Sequence, residues 1–278
     1  MTDACETPKT AQKVHTGVKV TTDSGNKATV DILKSQKIFC KNFLSATLQP
    51  DSVDLVICDP PYGHTHNKWD QKLDLDKLFK QFDNCCKDRA VVVIFTAGKL
   101  TGEILNGPWK KYYRYDLIWA KNKVRGFLNA NRMPLRAHET ILVFYKKAPS
   151  YHTQMNTPRI MGKGGGNPRK RTATGNNYGN ISNQSSERYN KSDRYPTSVL
   201  PYACVNESKA LHPTQKPVPL IEFLVRSFTE EGDVVLDPTC GSGTTGVACK
   251  NQGRAFLGFE IDPDNYSTAV NRLKIHCQ

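Results

Sequence analysis

The pattern of apolar runs predicts an α/β fold on a mainly parallel sheet. Short runs rich in β-branched and aromatic residues alternate with helical stretches. Two of the runs end in turns that a buried strand cannot continue: Asp59-Pro60-Pro61-Tyr62, and the Gly-rich segment Asp237–Gly246. The 278 residues suffice for one large α/β domain with an insertion.

In chain order, residues 1–27 are polar and read as a loose tail or an edge element, with regular structure starting near Val30. Strands are expected at Lys37–Phe43, Val53–Cys58, Ala90–Phe95, Tyr113–Trp119 and Thr140–Tyr145. Between the second and third, Leu75, Leu78, Phe79 and Phe82 share one face of a helix over Leu73–Asp88. The composition shifts near Ala148. From Tyr151 to Ala210, Gly, Asn, Ser, Arg and Lys dominate and hydrophobic periodicity stops. The acids there are Glu187, Asp193 and Glu207, set against many cations, and the stretch reads as an inserted loop region.

Order resumes at Pro217 with a helix that carries Leu220, Phe223, Leu224 and Phe228 on one face. A buried strand over Asp233–Asp237 runs into the Gly-rich turn and a further helix. Ala255–Glu260 is the next strand. Asp262 is placed to cap the last helix, with Pro263 at its first position. The chain thus divides into a polar tail (1–27), a first α/β half (28–150), a basic insertion (151–210) and a second α/β half (211–278).

The net charge of +13 points to a polyanionic partner, with nucleic acid the simplest. The nine cysteines show no C-x-x-C pair and are odd in number, so free thiols are expected, with neither a metal site nor a closed disulfide framework. Residues 1–27 lack the apolar stretch of a signal peptide, and runs such as Ala90–Phe95 are too short to span a bilayer. A soluble, intracellular protein with no membrane partner is expected.

Both turns have the chemistry of sites. Gly241 and Gly243 let the backbone turn tightly next to a ligand. Glu260 ends the following strand, where an acid can accept bonds from ribose hydroxyls. The spacing Gly241-x-Gly243-x-x-Gly246 also fits a dinucleotide loop. Asp237 argues against that alternative, because a carboxylate there attracts a cationic amine and repels a pyrophosphate. The prolines of Asp59-Pro60-Pro61-Tyr62 project Asp59 and Tyr62 from a strand end. An exocyclic base amine is a poor nucleophile, its lone pair being delocalised into the ring. Asp59 and the Pro60 carbonyl can each accept one of its N–H bonds and favour a tetrahedral nitrogen, while Tyr62 offers a ring for stacking.

The two motifs together resemble those of the S-adenosylmethionine (SAM)-dependent DNA amino-methyltransferases. Their order, catalytic turn first, looks like the permuted β class of that family. The resemblance spans roughly residues 36–275. It extends to His212-Pro213-Thr214-Gln215-Lys216-Pro217, to Arg194–Leu200, to Leu257–Asp262, to Trp69-Asp70 and to Arg136-Ala137-His138-Glu139. It implies a Rossmann-like methyltransferase fold with a circularly permuted motif order, its sheet mostly parallel with one reversed strand near the edge.

By the same resemblance, Asp59, Pro60, Pro61 and Tyr62 are catalytic. Asp237, Gly241 and Gly243 line the methionine end of SAM, with Pro238 and Thr244 in the same site. Glu260 holds the ribose, and Thr214 and Lys216 lie near the cofactor, Lys216 toward its carboxylate. The family's Gly-Asp before the catalytic strand, whose acid touches the cofactor adenine, is replaced here by Lys41-Asn42, which leaves Asn42 in that place. His138 and Glu139 are assigned to support of the fold. The basic insertion becomes the target-recognition region, with Arg169, Lys170 and Arg171 as DNA contacts.

The function implied is N6-adenine methylation of a flipped base in DNA, in a restriction-modification setting. Cytosine N4, RNA and an inactive binding homologue are the alternatives. Asp at position 59 favours adenine, since the cytosine enzymes more often carry Ser there. Tyr62 favours DNA, since the RNA enzymes often carry Trp. DNA and SAM are the expected partners, and a homodimer stays open. The expected location is the cytoplasm, at the nucleoid in a bacterium, or the nucleus for a eukaryotic or viral source.

Overall fold

The structure is a computed structural model. It describes residues 18–21, 27–30, 36–63, 72–155, 158, 194–206, 208, 210–212 and 214–275. Trp69-Asp70, Arg169-Lys170-Arg171 and most of the insertion lie outside the described residues.

Among the described residues, eight strands form the main sheet. They are β3 (Gln36–Cys40), β5 (Val53–Cys58), β6 (Cys86–Thr96), β7 (Tyr113–Arg125), β8 (Arg136–Tyr145), β9 (Val199–Leu200), β10 (Val234–Asp237) and β11 (Ala255–Glu260), in the order β3-β11-β10-β5-β6-β8-β7-β9. Strands β3, β11, β10, β5 and β6 are parallel, and β8 alone runs against its neighbours β6 and β7. The mostly parallel sheet with one reversed strand is as expected. The strands at 53–58 and 255–260 match the sequence reading residue for residue.

Helices cover both faces. On one side pack α1 (Leu75–Cys85), through Leu78, Phe79 and Phe82, and α2 (Lys99–Leu105), with Trp109 beneath them. On the other pack α3 (Val218–Phe228), α4 (Thr244–Asn251) and α5 (Pro263–Ile275). The β5 residues show why the strands read as continuous apolar runs. Val56 and Cys58 face the first helical layer and Leu55 and Ile57 the second, all buried, so neither face needs polar residues. Asp262 caps α5 as expected, accepting from the amides of Asp264 (2.9 Å) and Asn265 (3.0 Å).

Besides a shorter α1 and longer β6, β7 and β8, three features differ from the sequence reading. Regular structure begins earlier than Val30: β1 (Val18–Thr21) and β2 (Lys27–Val30) form an antiparallel hairpin, and β1 also pairs with β4 (Thr47–Leu48). The strand expected to reach Phe43 ends at Cys40, because the Asn42 side chain accepts from the Leu44 amide (2.9 Å) and starts a 3-10 turn. The return limb of the insertion is ordered against the sheet. There β9 pairs with β7, and the Trp119 indole donates to the Tyr202 carbonyl at 2.7 Å. Among the described residues no helix is long and apolar enough to cross a membrane.

Helix α4 lies close on β11 because Gly246 has no side chain. A Cβ there would meet two ring carbons of the fully buried Phe256 at 2.8 Å and Leu273 at 3.0 Å. Gly246→Ala should therefore cost about 1–3 kcal/mol of unfolding free energy by overpacking. Denaturant titration reads this directly; an unchanged midpoint would show that the Phe256 ring yields freely.

Candidate active site

The parallel strands β5, β10 and β11 deliver Asp59, Asp237 and Glu260 to one edge of the sheet, where ligands bind in such folds. The three surround a cavity of about 710 Å³. Its wall also includes Pro60, Pro61, Tyr62, Pro238, Gly241, Thr244, Thr214, Lys216 and Asn42, so twelve of the thirteen expected catalytic and cofactor residues meet in one place. Gly243 is the exception. It stands behind the wall at φ 75°, where a Cβ would lie 3.0 Å from that of Ala269 on α5. Its lack of a side chain lets the start of α4 pack close on α5.

The two turns are bonded to each other. The Thr239 hydroxyl donates to the main-chain carbonyl of Asp59 at 3.1 Å, across 180 residues of sequence. The Asp59 carboxylate is engaged at both oxygens. Tyr62 donates its hydroxyl to Oδ1 at 3.1 Å, and the Lys216 ammonium pairs with Oδ2.

Lys216 thus differs from the expectation. It lines the cavity, but its ammonium is committed to carboxylates of the protein. Besides Asp59 it reaches Glu139 Oε2 at 3.4 Å, and Glu139 in turn accepts from Lys121. The assignment of Glu139 to fold support alone is too narrow, since its side chain lines the cavity and anchors the lysine that holds Asp59. An acid at the start of the otherwise apolar run Thr140–Tyr145 was the available signal. His138 on the neighbouring register position is exposed and outside the cavity.

The electrostatics follow from burial. Burial opposes the charge on Lys216, but Asp59 and Glu139 more than offset it and push the ammonium above its usual range. Burial likewise opposes the Glu139 anion, and Lys216 and Lys121 more than offset that and hold it low. At Asp59 burial wins over Lys216, and the carboxyl sits above its ordinary value. Burial pushes the Tyr62 phenol up, with Asp59 adding to it.

At the other end, Asp237 accepts from the Thr239 amide (3.0 Å) and the Thr245 hydroxyl (2.5 Å). Both donors are neutral, and burial raises its carboxyl to about 7. Glu260 spans the Gly loop, Oε2 accepting from the Gly241 amide (2.8 Å) and Oε1 from the Asp262 amide (2.9 Å). Arg272 on α5 braces the loop from behind, donating to the Ser242 carbonyl (3.1 Å) and the Thr244 hydroxyl (2.9 Å). Thr214 is held by its hydroxyl contact to His212 Nδ1 (3.0 Å). The wall also includes Phe43, Leu44, Ile261 and Asn265, which the sequence reading did not assign to the site.

Comparison with known proteins gives consistent matches. A family model described as DNA methylase matches residues 53–271. The Type II methyltransferase M.HpaI of Haemophilus parainfluenzae is 28% identical over 256 residues, covering 86% of this chain and 74% of the relative. The DNA adenine methyltransferase YhdJ of Escherichia coli is 26% identical over 244 residues, covering 81% and 77%. The crystal structure of an M1.HpyAVI–SAM complex superposes with a TM-score of 0.55 at 25% identity, over 86% of this chain and all of that one.

Removing one carboxylate from the buried cluster exposes its energetics. Glu139→Gln leaves Lys121 and Lys216, both largely buried, with one acid between them. We expect a loss of about 3 kcal/mol in denaturant unfolding, while Glu222→Gln, at the surface pair with Arg226, should change stability by well under about 1 kcal/mol. Equal small effects at the two sites would mean that the cluster is as well hydrated as a surface pair.

Proposed function

This chain belongs to the DNA methylase family, and from that premise we propose that its cavity transfers a methyl group from SAM to the N6 amino group of adenine in DNA. The observation that carries the reading is the bond from Thr239 to the Asp59 carbonyl, which joins the turn assigned to the base to the turn assigned to the cofactor inside one cavity. Adenine is favoured by Asp at position 59 and by the relative named as a DNA adenine methyltransferase.

The cavity fits SAM. Asp237 is a buried carboxylate whose hydrogen-bond donors among the described residues are neutral, which suits the cofactor's ammonium. Glu260, at a strand end with both oxygens fixed by amides, suits ribose hydroxyls. Gly241 leaves open space on its Cβ side. When bound, SAM supplies an electrophilic methyl on a sulfonium centre. The protein's part is positioning. Asp59 Oδ1 accepts one N–H of the base amine, displacing the Tyr62 hydroxyl it now holds. The Pro60 carbonyl accepts the other. Lys216, fixed by Glu139, keeps Oδ2 occupied and so presents Oδ1 alone. The nitrogen must shed a proton on methylation, and Asp59, its carboxyl raised by burial, is placed to receive it.

The Asp237 assignment sets a pH dependence. The carboxyl must ionise to pair with an ammonium, and burial has raised it to about 7. SAM affinity should therefore rise by about tenfold per pH unit up to pH 7 and then level off, since below that pH one proton must leave Asp237 for each cofactor bound. Asp237→Asn should bind weakly at every pH, without the slope. Calorimetry across pH 5.5–8 tests this; a slope retained by the Asn variant would assign the titration elsewhere.

The reaction itself is tested on DNA. Mass spectrometry after incubation with SAM should show N6-methyladenine, and mapping the modified bases gives the target. Asp59→Ala should lower turnover by about a hundredfold or more while SAM affinity stays within a few-fold, because its contact matters most as the amine becomes tetrahedral. N4-methylcytosine as the product would replace the base assignment, and modified RNA with unmodified DNA would replace the substrate class.

A further inference from the structure

Strands β7 and β8 leave the sheet beyond Trp119 and Glu139, which face each other in register. Their continuation, residues 121–138, forms an arm whose pairing slips between Ala120 and Arg125 and whose tip is a 3-10 turn at Phe127–Asn129. The tip is apolar and bare: Phe127 is 67% exposed, Leu128 fully exposed and Met133 54% exposed. Around it stand Lys123, Arg125, Arg132 and Arg136, and residues 122–138 contain no acid. Exposed apolar residues gathered at one tip are a liability in water unless they meet a partner.

The arm has a fixed relation to the site. Strand β7 runs parallel to β5 and β6, so its carboxyl end departs past the same sheet edge that carries Asp59. Its root is the site itself, since Lys121 and Glu139 are the pair that anchors Lys216. At about 3.3 Å per residue the end of β7 at Arg125 stands on the order of 13 Å beyond that root, with the tip past it.

We propose that this arm docks on duplex DNA beside the extruded base, its cations against phosphates and Phe127, Leu128 and Met133 wedged into the gap in the stack. The inference rests on the methyltransferase reading above. Two physical arguments favour DNA over a second copy of the chain. A basic arm on a chain of net charge +13 is repelled by its own copies and attracted by a polyanion. A duplex that has released a base into a cavity also has an apolar gap to fill, and wedging side chains of this kind commonly fill such gaps.

The test uses the full chain, a duplex carrying the mapped target adenine, and the same duplex with an abasic site opposite that adenine. Phe127→Ala/Leu128→Ala should keep SAM affinity, methylate the intact duplex about tenfold or more slowly, and recover to within about threefold of wild type on the loosened duplex. Arg125→Ala/Arg132→Ala/Arg136→Ala should make the slope of log affinity against log salt shallower by about 3, at about 0.9 per phosphate contact. An unchanged rate on the intact duplex would overturn the wedge. So would an equal loss on both duplexes, or a loss that tracks a change of oligomeric state in sedimentation, which would make the tip a subunit contact. A wild-type protein that methylates no DNA fails the reading and the arm together; an active wild type with indifferent variants fails the arm alone.

Discussion

A single buried ammonium organises this molecule. Lys216 lies between Asp59 and Glu139, and Glu139 lies between Lys216 and Lys121. These four side chains come from the end of β5, from β7, from β8 and from the segment before α3. Taking such charges out of water is expensive, several kcal/mol each, and only mutual pairing in good geometry offsets it. The arrangement therefore works as a joint in which each charge is tolerable because the others are present. A hydrophobic cluster of equal volume could hold the same elements, but it could not present a carboxylate with one oxygen fixed and the other facing the cavity.

The cavity has an electrical asymmetry that follows from this joint. Two aspartates face it, the half-buried Asp59 and the buried Asp237. Asp59 has an internal cation. Among the described residues Asp237 has the Thr239 amide and the Thr245 hydroxyl as its hydrogen-bond donors, and burial lifts its carboxyl to about 7. A cationic ligand gains most at the carboxylate that lacks a counter-charge. The protein thus separates the place that should attract a positive group from the place that should accept hydrogen bonds from a neutral amine. Both are carboxylates at the ends of neighbouring parallel strands, and their partners make them different.

Much of this is legible in the sequence, for identifiable reasons. Strands buried on both faces are continuous apolar runs, so β5 and β11 can be read to the residue. The turns after them are legible because Pro and Gly have few structural alternatives. What the sequence hides depends on distance in space. Nothing in Lys216 says that its ammonium points 157 residues back to Asp59, and Glu139 looks like a strand-end acid until its partners are in view. Gly243 hides its packing role for a related reason. Its spacing is that of a ligand loop, yet the neighbour that forbids a side chain is Ala269 on α5. The first hairpin escapes a sequence reading because Val18–Thr21 and Lys27–Val30 alternate with polar residues and form no apolar run.

The order of the strands explains why the joint must span so much sequence. Strand β3 comes early in the chain but sits at the sheet edge beside β11, and β10 and β11 stand between it and β5. The first α/β half therefore leaves a two-strand gap in its own sheet, which the last part of the chain fills. Until β10 is inserted, β5 lacks a neighbour on one side, and the Asp59 turn lacks both Thr239 and Lys216. Loop closure over such separations costs entropy that local contacts cannot repay. The interactions that close the gap must then be strong and specific, and a bonded pair of turns with a shared buried ammonium meets that need. The same closure creates the cavity, because Asp237 and Glu260 arrive with the inserted strands. In this topology, completing the core and assembling the site are one event.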